Sequence, residues 1–169
     1  MAFTIPGEAA SDANEWGYDG LIKLRDLFIE AADALIITGD NGALTRDRVI
    51  TSGQKVPLYY PAVRIAAITD TERFHEMGAT GSGKRRIDLS YSVEVMEYMT
   101  KAEDTAKSLA KLVDRSRDLL SRNRTLDGFC VDLLVSPTTR GFVNSNGRHL
   151  LAAQLTVSMW KRVDIVADS

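Results

Sequence analysis

A helix with a single apolar face, set between two alternating strand patterns in residues 89–135, constrains what this chain can fold into more than any other feature. Thr100 followed by Glu103 reads as a capping box, in which each side chain accepts a free backbone N–H of the first turn. Residues 101–122 then repeat at the helical period. Ala102, Ala106, Leu109, Val113 and Leu120 form one stripe, with Leu112 and Leu119 along its edge. Glu103, Lys107, Lys111, Asp114 and Asp118 fall opposite. Such a stripe is built for burial, so Leu109, Val113 and Leu120 are the predicted core face and a sheet is the predicted cover. Asn123-Arg-Thr-Leu-Asp-Gly128 ends the helix, because Asn tolerates a left-handed backbone and Asp-Gly supplies turn chemistry.

The strands around this helix follow from alternation. Ile87, Leu89, Tyr91, Val93 and Val95 alternate with Asp88, Ser90, Ser92 and Glu94, and before them Val63, Ile65 and Ala67 open a strand that begins at 62 and reaches the region of Phe74. The glycine-rich residues 78–85 between them predict a hairpin. A strand over 85–98 extends about 45 Å. A compact chain of this size is about 40 Å across, so the tip is predicted to overhang the domain.

Beyond the helix, Phe129, Val131, Leu133 and Val135 mark a third strand, closed by Pro137 and a polar loop through Gly147. Residues 149–163 form a fourth, with Leu151, Ala153, Leu155, Val157 and Met159 on one face. An earlier helix spans 21–37 with Asp19 as N-cap, its stripe made by Leu21, Leu24, Phe28, Ala31 and Leu35, and it is stopped by Thr38-Gly-Asp-Asn-Gly42. Residues 43–60 are irregular and read as a long loop or a short edge strand. The predicted fold class is α+β: a four-stranded, mainly antiparallel sheet with helices packed on one face, in the order helix, two strands, helix, two strands.

A length of 169 residues predicts one domain over 1–169, with a mobile arm at 1–18 and a short tail at 164–169. A net charge of −2, with both signs mixed along the chain, argues against a broad nucleic-acid-binding face and against a polybasic membrane anchor. One Cys excludes an internal disulfide, and with two His it makes no cluster at zinc spacing. The first residues lack the basic start and apolar core of a signal peptide, and nowhere do 18 apolar residues follow one another. The expectation is a soluble protein made in a reducing cytoplasm, with no cofactor and no bound metal.

Gly78-Ala-Thr-Gly-Ser-Gly83-Lys84 satisfies the first seven positions of a phosphate-cradling loop. Such a loop needs Ser or Thr after the Lys to hold magnesium, a buried strand before it and a helix after it. Here Arg85 takes the magnesium-ligand position and a strand pattern follows, so a flexible hairpin tip is the preferred reading and a nucleotide-binding protein the alternative. Cys130 alternates with Phe129 and Val131 and reads as a packed side chain, while His75 and His149 stand isolated. No catalytic constellation emerges. The basic residues Lys84, Arg85 and Arg86 at the tip, with Arg46 and Arg48 in the irregular stretch, are the candidate contacts for another subunit or for DNA passing through a channel.

The alternating strand at 87–95, the helix end Leu119-Leu120-Ser-Arg-Asn-Arg-Thr-Leu-Asp-Gly128 and the last strand Ala152-Ala-Gln-Leu-Thr-Val-Ser-Met-Trp-Lys-Arg162 together resemble the tail terminator, or tail completion, proteins of long-tailed bacteriophages. The resemblance spans residues 62–163. It implies a virion subunit that forms a homohexameric ring, caps the tail tube, ends its polymerisation and offers the surface for head-tail joining. The implied partners are further copies of itself, the tail tube protein and a head-side connector, at the head-proximal end of the tail. A neck or head-completion connector is the neighbouring alternative.

Overall fold

The computed structural model describes residues 13–51, 59–77, 83–136, 138–145 and 147–165, and for 13–16, 68–77, 83–85, 145 and 163–165 it describes the backbone alone. In chain order the elements are α1 (Ala13–Asp33), β1 (Thr38–Gly39), β2 (Gly42–Ala43), a 3-10 turn (Arg46–Arg48), β3 (Val49–Thr51), β4 (Ala62–Met77), β5 (Gly83–Tyr98), α2 (Ala102–Arg122), β6 (Asp132–Val135), β7 (Thr139–Ser145) and β8 (Arg148–Ile165). The main sheet runs β3-β4-β5-β8, with β6 and β7 end to end along the far edge of β8. Among the described residues only β3 pairs in parallel.

The fold is α+β, as the patterning predicts, but among the described residues the main sheet has six strands and not four, and a separate two-stranded ribbon joins β1 to β2. Two of the additions have local causes. β3 grows from Val49-Ile-Thr, within the stretch read as loop or edge strand, and its Val49 and Ile50 are buried. β7 falls in the predicted polar loop. Its signal is Asn146-Gly147, the dipeptide favoured in two-residue hairpin turns, and Gly147 sits at a φ of 74°, a left-handed backbone that side chains resist.

The core forms where side chains on one face of the sheet line up across strands. Val63, Val95 and Ala153 are in register, as are Ile65, Val93 and Leu155, and all six are buried. Both helices pack on this face, and Leu109, Val113 and Leu120 are almost fully buried, as expected. The rest of the α2 stripe is rotated from its predicted position. Ala102 and Ala106 are exposed, while Thr105, Ser108 and Ser116 are buried with Leu112 and Leu119. Nor is the capping box formed: Lys101 is the N-cap, with no side-chain cap bond. The backbone N–H of Thr100 donates instead to Oγ1 of Thr105 at 3.2 Å, so a buried hydroxyl does what Glu103 was expected to do.

At the other helix, α1 begins at Ala13, so Asp19 lies inside it and residues 13–18 of the predicted arm are helical; residues 1–12 lie outside the described residues. It also stops four residues early. Leu35 turns left-handed at φ 55° and is exposed, whereas Ile37 is fully buried beyond the helix end. Gly20 of α1 faces Tyr91 of β5 so closely that a Cβ would lie 2.0 Å from the phenol oxygen, which itself donates to the Gly17 carbonyl at 2.8 Å. The glycine sets how near the helix approaches the sheet. At the C-terminal end, β8 takes in residues 164 and 165 of the predicted tail.

Candidate functional site

The five candidate basic residues do not form one group. Arg46 belongs to the 3-10 turn and its guanidinium holds Asp33 at the end of α1, with Nη2–Oδ2 at 2.5 Å, keeping that carboxyl below the usual range. Arg48 donates through Nη1 to the carbonyls of Tyr60 at 3.1 Å and Ala43 at 3.4 Å, and its guanidinium lies 5.9 Å from the Tyr59 ring centre. Both arginines tie the 3-10 turn and β3 to their surroundings. β3 sits beside Val63, which is in register with Val95, nine residues along β5 from Arg86. At strand rise this is about 30 Å, so Arg46 and Arg48 lie at the opposite end of the sheet from the hairpin group.

Lys84, Arg85 and Arg86 are in β5 rather than in the turn. Lys84 is in register with Glu76 and Asp164, and Arg85 with Phe74 and Val163. Residues 78–82, the turn itself, lie outside the described residues. What flanks them is a pair of antiparallel strands, β4 and β5. A phosphate loop feeds a helix whose N-terminal amides hold the anion, and Lys84 here feeds a strand.

Arg86 is the centre of the group that the tertiary structure assembles. It is in register with Arg73 of β4 on one side and Arg162 of β8 on the other, so three arginines lie side by side across three strands. Like charges directly opposite one another in a sheet are destabilising unless something separates or neutralises them. Trp160 takes part in this: the guanidinium of Arg86 is 4.6 Å from its ring centre and that of Arg162 is 5.7 Å away, a cation–π arrangement on both. Asp88 accepts from Nε of Arg86 at 2.9 Å. Asp132, in register with Trp160, takes a two-pronged bond from Arg124 at 2.8 and 2.7 Å, which lowers its pKa. Sequence reading singled out Arg86 as a candidate contact but gave Arg162 no role and did not join either to Trp160. The signal was present only as alternation in β8, because cross-strand register is a tertiary property.

Farther along the same open face, Arg64, Glu94, Gln154 and Thr139 line up across β4, β5, β8 and β7. Nε of Arg64 donates to Glu94 at 2.8 Å, and the row borders a concavity of about 210 Å³ floored by Met96 and Ala152.

The Cys130 thiol and the Lys161 ammonium are both packed against neighbours. Cys130 is buried, its thiol reaches the Arg124 carbonyl at 3.4 Å, and burial pushes its pKa up to about 11. The thiolate nucleophile is therefore scarce at neutral pH. Lys161 packs its ammonium 4.3 Å from the Phe129 ring centre and burial lowers its pKa. Among the described residues no three His, Cys, Asp or Glu side chains gather as a metal site. No helix among them is long and apolar enough to cross a membrane. A scan against protein-family models and a search of curated proteins return no match.

Proposed function

We propose that this chain is a structural, non-catalytic subunit of a bacteriophage virion, closing into a homohexameric ring at the head-proximal end of the tail. There it caps the tube, ends its polymerisation and presents a face to the head-side connector. The observation that carries the reading is that the sheet outgrows its own helices. β4 and β5 each have 16 residues and β8 has 18, so they extend about 50 to 60 Å. The helices of 21 residues each extend about 30 Å. A chain that builds more sheet than it can cover suits an assembly in which neighbours complete the covering. The face of the sheet opposite the buried Ile87 and Met159 carries Arg86, Arg162 and Trp160, which fit contact with an acidic neighbour or with DNA in a central channel.

The test is to purify particles, locate the chain by labelled antibody and mass spectrometry, and measure tails made in its absence. Label at the head-proximal tail end and tails of uncontrolled length are expected. Label at the neck with tails of normal length would move the subunit to the connector, and particles free of the chain would remove the virion role.

A further inference from the structure

The carboxyl of Glu97 lies where three elements meet: the end of β5, the first half of α2 and the β1–β2 ribbon. It is buried, and Ser108 of α2 donates to its Oε1 at 2.8 Å. The Ser108 hydroxyl in turn accepts the backbone N–H of Asp40 at 2.9 Å, in the turn between β1 and β2. One hydroxyl therefore connects the carboxyl to the ribbon tip. Gly39 keeps that approach close, because a Cβ there would lie 2.6 Å from Ser108 Oγ.

The base and the tip of the ribbon are held differently. At the base Ile37 and Leu44 are fully buried, and the Leu44 N–H donates to the Ile37 carbonyl at 2.9 Å. Arg115 of α2 adds bonds to the Ile36 carbonyl at 3.1 Å and to Thr38 Oγ1 at 2.6 Å. At the tip none of residues 39–42 is buried. What holds it is the Ser108 hydroxyl and an ion pair between Lys111 and Asp40. Segments with few buried apolar contacts open first, so the tip can lift while its base stays docked.

The charge on Glu97 favours that opening. Among the described residues its Oε2 has no hydrogen-bond partner, which a neutral carboxyl tolerates far better than an ionised one. The charged groups around it are committed elsewhere: Lys111 to Asp40, Arg115 to the ribbon base, and Arg48 to the Ala43 and Tyr60 carbonyls. From β8 comes only the apolar Leu151, in register with Glu97. Burial raises the pKa of Glu97, Ser108 and Asn41 oppose this, and the like charge of Asp40 adds to it. Lifting the tip relieves both penalties at once, since water reaches Oε2 and Asp40 moves away.

We propose that ionisation of Glu97 releases the ribbon tip from α2, so that the ribbon is a clasp closed over the protonated carboxyl and opened as pH rises. This device belongs to the fold and is independent of the virion role.

The experiment is amide hydrogen exchange by NMR on the purified full chain, from about pH 5 to about pH 9, with each rate divided by its intrinsic rate. Protection of the Asp40 amide is expected to fall by about tenfold or more across the series, while that of Leu44 holds. Glu97→Gln is expected to keep the tip protected throughout. Tip protection that does not change with pH overturns the proposal. So does a fall that persists in Glu97→Gln, which would assign the trigger to another group, or one shared by Leu44 and the β5 amides, which would be loss of the whole fold. Should circular dichroism show Glu97→Gln unfolded, the carboxyl carbon of Glu97 is titrated in the wild type. A midpoint that coincides with the loss of Asp40 protection supports the clasp, and separate midpoints overturn it.

Discussion

At the residue scale, Glu97 is a carboxyl only 1% exposed, beneath α2. Ser108 donates to its Oε1 at 2.8 Å, and the same hydroxyl accepts the backbone N–H of Asp40 at 2.9 Å and, more weakly, that of Asn41 at 3.4 Å. Oε2 makes no hydrogen bond of normal geometry. Burial holds the carboxyl above the ordinary range, with Ser108 and the Asn41 amide opposing. A group whose pKa rises on folding binds its proton more tightly in the native state. Its stabilising contribution is therefore full below the unfolded value of about 4.5 and is lost as pH climbs through the folded value. Glu97→Gln is accordingly expected to raise the melting temperature at about pH 7 and to match the wild type below about pH 4. Melting curves that coincide at both would mean the buried carboxylate is fully compensated. Ser108→Ala strips the acceptor from the Asp40 N–H and the donor from Glu97, and is expected to destabilise by about 1 to 3 kcal/mol, read from urea denaturation. Cys130, with its thiol raised to about 11, should react with a thiol reagent far more slowly in the native protein than in denaturant.

The elements carry predictions of larger size. Leu109 is fully buried between α2 and the sheet, so Leu109→Ala is expected to cost about 2 to 5 kcal/mol. An unchanged melting curve would show that this face is not a core. The hairpin strands carry the decision on nucleotide binding. Because Lys84 leads into β5 and not into a helix, ATP with magnesium is expected to show no saturable binding by calorimetry. Micromolar binding abolished by Lys84→Ala would reverse that expectation.

For the whole molecule, the basic hairpin is the place to separate folding from assembly. Arg86 touches Asp88 and Trp160, so replacing Lys84, Arg85 and Arg86 together by Ser removes a cation–π contact of about 0.5 to 2 kcal/mol. It should leave the helix-covered core folded. In cells lacking the wild-type chain, such a folded variant is expected to give overlong or headless tails by electron microscopy. Infectious particles with tails of regular length would reduce the basic row to solvated surface and leave assembly to the sheet edges.

Local periodicity determined a good deal of this protein unaided: two amphipathic helices, a long hairpin, a last long strand, and the burial of Leu109, Val113 and Leu120, because each rests on side chains spaced along one element. The places where local signals misled share a cause. Thr100 and Glu103 match a capping box, yet the buried Thr105 hydroxyl was available to the Thr100 N–H, and the ribbon drew Ser108 inward in place of Ala106. Pairing with β4 made a strand of Val49-Ile-Thr, and the edge of β8 made strands on both sides of Pro137. The candidate site divides the same way. Arg86 was legible as part of a basic run, but its neighbours Arg73, Arg162 and Trp160 lie 13, 76 and 74 residues away along the chain. Only strand register, set by which faces of β4, β5 and β8 must be buried together, places them side by side.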